Sequence, residues 1–338
     1  MGEAIARMAV KDGLHPILAG RNESKLASLA EELSVDFKVA ALQEAEKLIT
    51  IFDDTTLVLN CAGPFKYTYQ PIVEACLATR THYLDITGEL PVFQAISDLD
   101  QEARNQGVML LPGVGFDVVP TDCLAVHLKK RLPSASQLTL AFQSTGPGGL
   151  PPGTQRTMIE LIPYGNRIRR GGRLVIPKQL IKTRTIDFGS GPQTATRITW
   201  GDVFTAWHST GISNIEDYTV IPEKLHGKMK TLNRWKILFR LPFVRNYLQN
   251  KVKPGPNSDA RSKTHTVVWG EVTDDQGGKA VSRVRGPEAG VEWTGLSALA
   301  AVQKVMQGVL EAGFQTPGKV FGPDFVLEGE GVSREDVC

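Results

Sequence analysis

Cysteine is scarce in this 338-residue chain, which carries it only at positions 61, 76, 123 and 338. That spacing suits neither a zinc cluster nor a disulfide framework. Three of the four lie in apolar runs and read as buried thiols of a reducing compartment, with Cys338 an inert last residue. No run of about 18 apolar residues is present to cross a bilayer as a helix. No apolar signal-type segment follows Met1-Gly2-Glu3, so the expected location is cytoplasmic. The six histidines are scattered without H-E-x-x-H spacing, and no metal site is expected. Excess charge is missing too: the net value of +2 offers no field for nucleic acid. Internal repeats and low-complexity tracts are absent. What is present is 41% apolar and 22% charged residues, the balance of a soluble globular protein long enough for two domains.

Residues 1–120 alternate helical and continuous apolar patterns. Helices are expected from residue 2 to about 13, then near 26–33, 43–51, 71–78 and 92–103. Strands are expected near 15–19, 37–41, 56–61, 82–86 and 108–111. Apolar strands separated by helices mean a parallel sheet covered on both faces, an α/β Rossmann-like layer. A helix over 121–132 leads out of it. Strands near 137–143, 173–177, 184–188, 195–200 and 264–272 follow, and 281–285 pairs with the last across Asp274-Asp-Gln-Gly-Gly278. Residues 121–290 therefore read as a second α+β domain with a mixed or antiparallel sheet, for substrate and dimerisation. Residues 291–338 read as a helix (Leu296, Leu299, Val302, Met306, Leu310) and a tail returning to the first domain.

A dinucleotide fold opens with a strand, a glycine turn and then a helix. Here a helix opens at residue 2, with Gly2 where the last loop glycine would fall. The expectation is a Rossmann-like sheet lacking its first strand and glycine loop, in a truncated gene product or one with a mis-called start, that binds cofactor poorly. That strand sits mid-sheet in the order 3-2-1-4-5-6, so its loss would leave two unpaired edges. The alternative is a chain that starts naturally with this helix and pairs the flanking strands directly.

The chemistry-bearing motifs all follow expected strands. After residues 15–19 comes Gly20-Arg21-Asn22-Glu23-Ser24-Lys25. An acidic residue there would hold a ribose 2′-hydroxyl, whereas the Arg21 guanidinium, with Asn22, Ser24 and Lys25 near it, suits the 2′-phosphate of NADP(H). The bland alternative is a solvated turn with Asn22 as helix N-cap. Leu57-Val-Leu-Asn60-Cys-Ala62-Gly63-Pro64-Phe65 ends at the cofactor crevice, where Gly63 allows close approach, unless it is an ordinary Gly-Pro turn. His82-Tyr-Leu-Asp85-Ile-Thr-Gly-Glu89 puts acidic groups at the same edge, Asp85 having either a structural or a chemical role and Thr87 or Glu89 capping the next helix. In Leu111-Pro-Gly113-Val-Gly115-Phe-Asp117-Val-Val-Pro-Thr121-Asp122, two glycines allow close approach, Asp117 lies in the loop, and Thr121 or Asp122 caps a helix. Tyr67 is a candidate proton donor, as a phenol beside a cationic cofactor.

Together GPF, Y-x-D-x-T-G-E and G-F-D-x-V-P-x-D resemble the saccharopine dehydrogenase-like oxidoreductase family, the nearest branch being bacterial trans-acting enoyl reductase-like proteins. Gly148-Gly149, Pro152-Gly153-Thr154 and Gly313-Phe-Gln-Thr-Pro-Gly318 resemble its second domain. The run Gly149-Leu-Pro-Pro-Gly-Thr154 departs from it, since relatives are richer in glycine there. The resemblance implies NADP(H) and hydride transfer. The catalytic candidates are Tyr67 and Asp117, and the cofactor candidates are Gly2, Arg21, Asn22, Ser24, Lys25, Asn60, Ala62, Gly63, Pro64, Phe65, Asp85 and Gly115.

Three functions remain open. One is reduction of a C=C or C=N bond in a lipid-type or small organic substrate. Another is amino-acid chemistry of the saccharopine type, for which Arg156, Arg167, Arg169 and Arg170 are the available carboxylate binders. The last is a non-catalytic membrane-surface or partner-binding protein. Residues 224–253 hold nine Lys or Arg, no Asp or Glu, and many aromatic and aliphatic residues, with Pro242 dividing two short helices. That pattern suits an anionic membrane surface, a carrier or a coenzyme A substrate, or a helix pair with a solvated basic face. A homodimer is a further expected partner.

Overall fold

A computed structural model describes residues 1–149, 152–235, 238–239, 241–252, 255 and 257–337. Cys338, residues 150 and 151 of the glycine-proline run, and residues 236, 240 and 253 of the basic stretch lie outside the described residues.

In chain order the first region runs α1 (Gly2–Lys11), β1 (Leu18–Gly20), α2 (Glu23–Leu33), β2 (Phe37–Val39), α3 (Ala45–Phe52), β3 (Leu57–Asn60), α4 (Tyr69–Thr79), β4 (His82–Asp85), α5 (Leu90–Ser97), α6 (Asp100–Gln106) and β5 (Met109–Leu111). The helix expected over 92–103 is two, broken at Asp98-Leu99. α2 starts where Asn22 caps it, and α6 stops at Gly107, whose φ of +71° costs glycine nothing. Every pairing in this layer is parallel, and β4 and β5 are fully buried at Tyr83, Leu84 and Met109–Leu111.

The layer is in two pieces. β1 pairs only with β2, and a separate sheet has the order β14-β5-β4-β3. No hydrogen-bonded ladder joins β1 to β3, so the two strands do not pair directly. α1 bridges the pieces: Arg7 pairs with Glu32 on α2, while Gly2 packs on Cys61 just beyond β3.

The second region adds α7 (Val119–Arg131), β6 (Gln137–Thr145), α8 (Pro152–Leu161), β7 (Ile168–Arg170), β8 (Arg173–Val175), β9 (Thr183–Asp187), β10 (Pro192–Ile198), α9 (Asp202–Thr210), β11 (Asn214–Val220), α10 (His226–Arg234), α11 (Pro242–Gln249), α12 (Ser258–Ser262), β12 (His265–Thr273) and β13 (Lys279–Gly286). The tail holds α13 (Thr294–Met306), β14 (Gly313–Phe314), α14 (Pro317–Val320) and β15 (Ser333–Asp336). The large sheet, β15-β13-β12-β6-β11-β10-β9, is antiparallel except where β6 and β11 run together. Its β12–β13 hairpin turns where expected, with Asp274 Oδ1 accepting the Gln276 and Gly278 N–H groups. The tail serves both layers, β14 extending the first beside β5 and β15 the second beside β13.

α7 is the joint between the layers. It starts two residues before the expected 121, and no side chain caps it. Thr121 and Asp122 are buried within it instead: Thr121 donates to Asp202 at 2.6 Å, and Asp122 accepts from Ser209 and from the Gly318 N–H. A helix surrounded by protein shows no amphipathic stripe, and α7 buries residues on all sides. The main core links α1, α7, β6 and α13, and a second core lies between α3, α4, α5 and β4.

Candidate active site

The carboxyl ends of β3, β4 and β5 share one edge of the parallel layer, and their exit loops build the site. The β3 loop is shaped by Asn60, which is buried and accepts the Ala62 N–H at 2.9 Å while donating to Tyr83 and Thr68. Thr68 returns a hydrogen bond of 2.6 Å to the Ala62 carbonyl. Ala62 and Gly63 stand exposed at the tip, Pro64 is half-buried, and the Phe65 ring is buried behind Gly63.

Glu89 locks this loop to the next. It stands at the N-cap position of α5, one of the two residues expected there, but its side chain does not cap that helix: the buried carboxylate reaches sideways to the Phe65 and Lys66 N–H groups at 2.7 and 3.1 Å. Burial raises its pKa, and those donors partly offset the rise. Thr157 of α8 is a third donor at 3.4 Å.

Asp85 is corrected from cofactor contact to internal strut. It is fully buried, and its oxygens accept from Thr87 N, Gly113 N and the Tyr83 hydroxyl at 2.8–2.9 Å. Desolvation moves its pKa up to about 7. Gly115 is corrected likewise: a Cβ there would stand 3.0 Å from Thr294 and 3.4 Å from Ile86, so the close approach is to protein. Asn60 and Phe65 also face inward for the reasons given above.

Asp117, at the β5 exit, has no hydrogen-bond partner among the described residues. Partly covered, it lies against Gly88, where a Cβ would meet its carboxylate oxygen at 2.4 Å. Burial first, then the charge of Glu89, lift its pKa to about 7. Tyr67 is half exposed, its hydroxyl 3.2 Å from Glu160 Oε2 and Lys66 Nζ 4.6 Å above its ring. Glu160, on α8, is buried and also takes the Lys66 ammonium and Arg245 of α11. Sequence reasoning passed over Glu160, because one glutamate in an unassigned helix carries no pattern.

At the β1 exit, Asn22 accepts from the Lys25 N–H and from Ser24, so both side chains serve the helix cap. Arg21 and Lys25 are exposed without an anionic partner among the described residues. The first turn of α1, beginning at Gly2 beside Cys61, has no side-chain cap. The exposed Arg21 and Lys25 side chains fit a phosphate of a dinucleotide. Two of the four arginines expected for an amino-acid substrate are engaged elsewhere. Arg169 is buried against Trp207, donates to the Val203 and Gly172 carbonyls, and is pulled down to about 10 by desolvation, while Arg170 pairs with Glu216.

Residues 1–111 match the family model of the saccharopine dehydrogenase NADP binding domain. A saccharopine dehydrogenase-like oxidoreductase of Rattus norvegicus is 27% identical over 148 residues, covering 39% of this chain and 34% of that protein. A trans-acting enoyl reductase of Mycobacterium leprae is 30% identical over 138 residues, covering 39% and 31%. The matched part thus spans about a third of the length of these curated relatives. The apo saccharopine dehydrogenase of Saccharomyces cerevisiae superposes with a TM-score of 0.66 at 12% identity, over 99% of this chain and 98% of that one, a likeness of fold. The first third of the chain is therefore similar to a saccharopine dehydrogenase NADP binding domain, the family that its loop motifs resemble.

Proposed function

We propose that this chain, whose first domain is similar to that of the saccharopine dehydrogenase-like oxidoreductases, is an NADP(H)-dependent reductase of a C=C or C=N bond in a lipid-type or small organic substrate. When bound, the nicotinamide cofactor supplies the hydride. Arg21 and Lys25 bind its 2′-phosphate, and the first turn of α1 faces its other phosphates. Ala62 and Gly63 let the backbone approach closely. Asp117 protonates the atom of the reduced bond that does not receive hydride. Glu89 holds the loop geometry, and its charge adds to the burial that lifts the Asp117 pKa to about 7. Glu160 positions Tyr67 and Lys66 at the rim. The observation that carries this reading is an unpartnered carboxyl with its pKa lifted to about 7, at the strand edge of an NADP-binding domain. The engagement of Arg169 and Arg170 with other protein groups supports a substrate without several carboxylates.

Fluorescence titration with NADPH and NADH tests the cofactor half. NADPH is expected to bind more tightly, and Arg21→Glu to weaken NADPH by about tenfold or more while changing NADH little. Equal loss of both cofactors, or no loss, would remove Arg21 from the 2′-phosphate.

A further inference from the structure

Helix α11 turns two aromatic side chains outward. Arg245 and Gln249, four residues apart and so on one face, both donate to the buried Glu160, Arg245 at 3.2 Å. Phe243 and Tyr247 are also four apart, and lie about 200° around the helix from that pair. They are 69% and 60% exposed. A carboxylate holds Arg245 and Gln249 inward beside the half-buried Val244 and Leu248, while Phe243 and Tyr247 look out. Trp235, Leu238 and Leu241, in the connection before α11, are exposed as well, while Phe239 between them turns in. Among the described residues of this segment the outward set is thus selective, since Phe239 turns in between exposed neighbours.

Its charge says what it would meet. Residues 224–253 contain nine Lys or Arg and no Asp or Glu. Of these Lys224, Lys230, Arg234 and Lys251 are exposed without an acidic partner among the described residues, and Lys251 stands 4.4 Å from the Tyr247 ring centre. Cations around an aromatic and leucine patch match the anionic headgroups and shallow acyl region of a bilayer, where rings and long basic side chains sit at the boundary.

We propose that the face formed by Trp235, Leu238, Leu241, Phe243 and Tyr247 docks on an anionic phospholipid surface. Glu160 joins this face to the site: it bonds Arg245 and Gln249 on one side, and Tyr67 and Lys66 on the other. Docking thus sets the crevice rim against the membrane, where an apolar substrate is dissolved. This last consequence rests on the proposed reductase reading; the docking itself does not.

Flotation of the full chain with vesicles, without nucleotide, keeps the two apart. Vesicles of phosphatidylcholine and phosphatidylserine should carry the protein up, and phosphatidylcholine alone should recover at least about tenfold less. High salt should weaken the recovery. Phe243→Glu with Tyr247→Glu, which leaves Glu160 and its partners untouched, should abolish flotation with an unchanged thermal midpoint. Lys230→Glu with Arg234→Glu should lose the preference for anionic vesicles. The proposal falls if wild type stays unbound, or if the double aromatic variant floats as well as wild type. It falls too if sedimentation shows a stable dimer that this variant dissolves, since the face would then belong to a second copy.

Discussion

Asp85 and Asp117 have the same side chain at the same edge of the parallel layer, and burial lifts both to about 7. Their neighbours separate them. Asp85 has three donors within 2.9 Å and cannot turn to a substrate, whereas Asp117 has none among the described residues. A proton donor must be protonated before it acts, so reductive turnover should fall as pH rises through about 7, following Asp117. Asp117→Asn should lower turnover by roughly 10²–10⁴-fold and erase that inflection, as a pH–rate profile would show. A variant keeping both rate and inflection would shift the role to another group. Tyr67→Phe removes one bond to Glu160, which retains Lys66 and Arg245, so turnover should drop less than about tenfold.

At the scale of elements, the site depends on loops tied to each other more than on the strands beneath. The segment after β3 hangs from the Glu89 carboxylate by the Phe65 and Lys66 N–H groups. Glu89→Gln weakens charge-assisted bonds in a buried place and should cost about 1–3 kcal/mol in chemical denaturation. Hydrogen exchange should quicken at those two amides ahead of the β4 amides, and uniform change would show that the tie is not local. Gly113 has a φ of +79°, and a Cβ there would stand 2.8 Å from Val118. Gly113→Ala should therefore destabilise the fold, a change visible in the thermal midpoint. β11 escaped the sequence reading because Glu216 and Asp217 interrupt its apolar pattern. The fold accommodates Glu216 by surrounding it with Arg170, Lys182 and Arg197, three side chains distant in sequence.

At the scale of the whole molecule, Asp122 connects α7, α9 and the tail at once through Ser209 and Gly318. Desolvation raises its folded pKa to about 6, above the unfolded value near 4. Such a group favours folding fully below the unfolded pKa, and its contribution is lost as pH rises through about 6. Asp122→Asn should thus remove a pH-dependent part of stability on the order of 3 kcal/mol between about pH 4 and 7, read as the difference between the two proteins' denaturation curves. An unchanged difference across that range would refute the assignment. The sequence by itself determined the parallel α/β layer, the hairpin at 274–278 and the loop motifs, because periodicity and turn chemistry act over a few neighbours. It also read Asn22 as a cap, alongside the phosphate reading of its turn. Only the tertiary structure decided that Asp85 looks inward and Asp117 remains available, that β1 and β3 stand in separate sheets, and that Glu160 joins the crevice to α11. Each of those depends on which distant residues arrive alongside, and short-range pattern does not encode arrival.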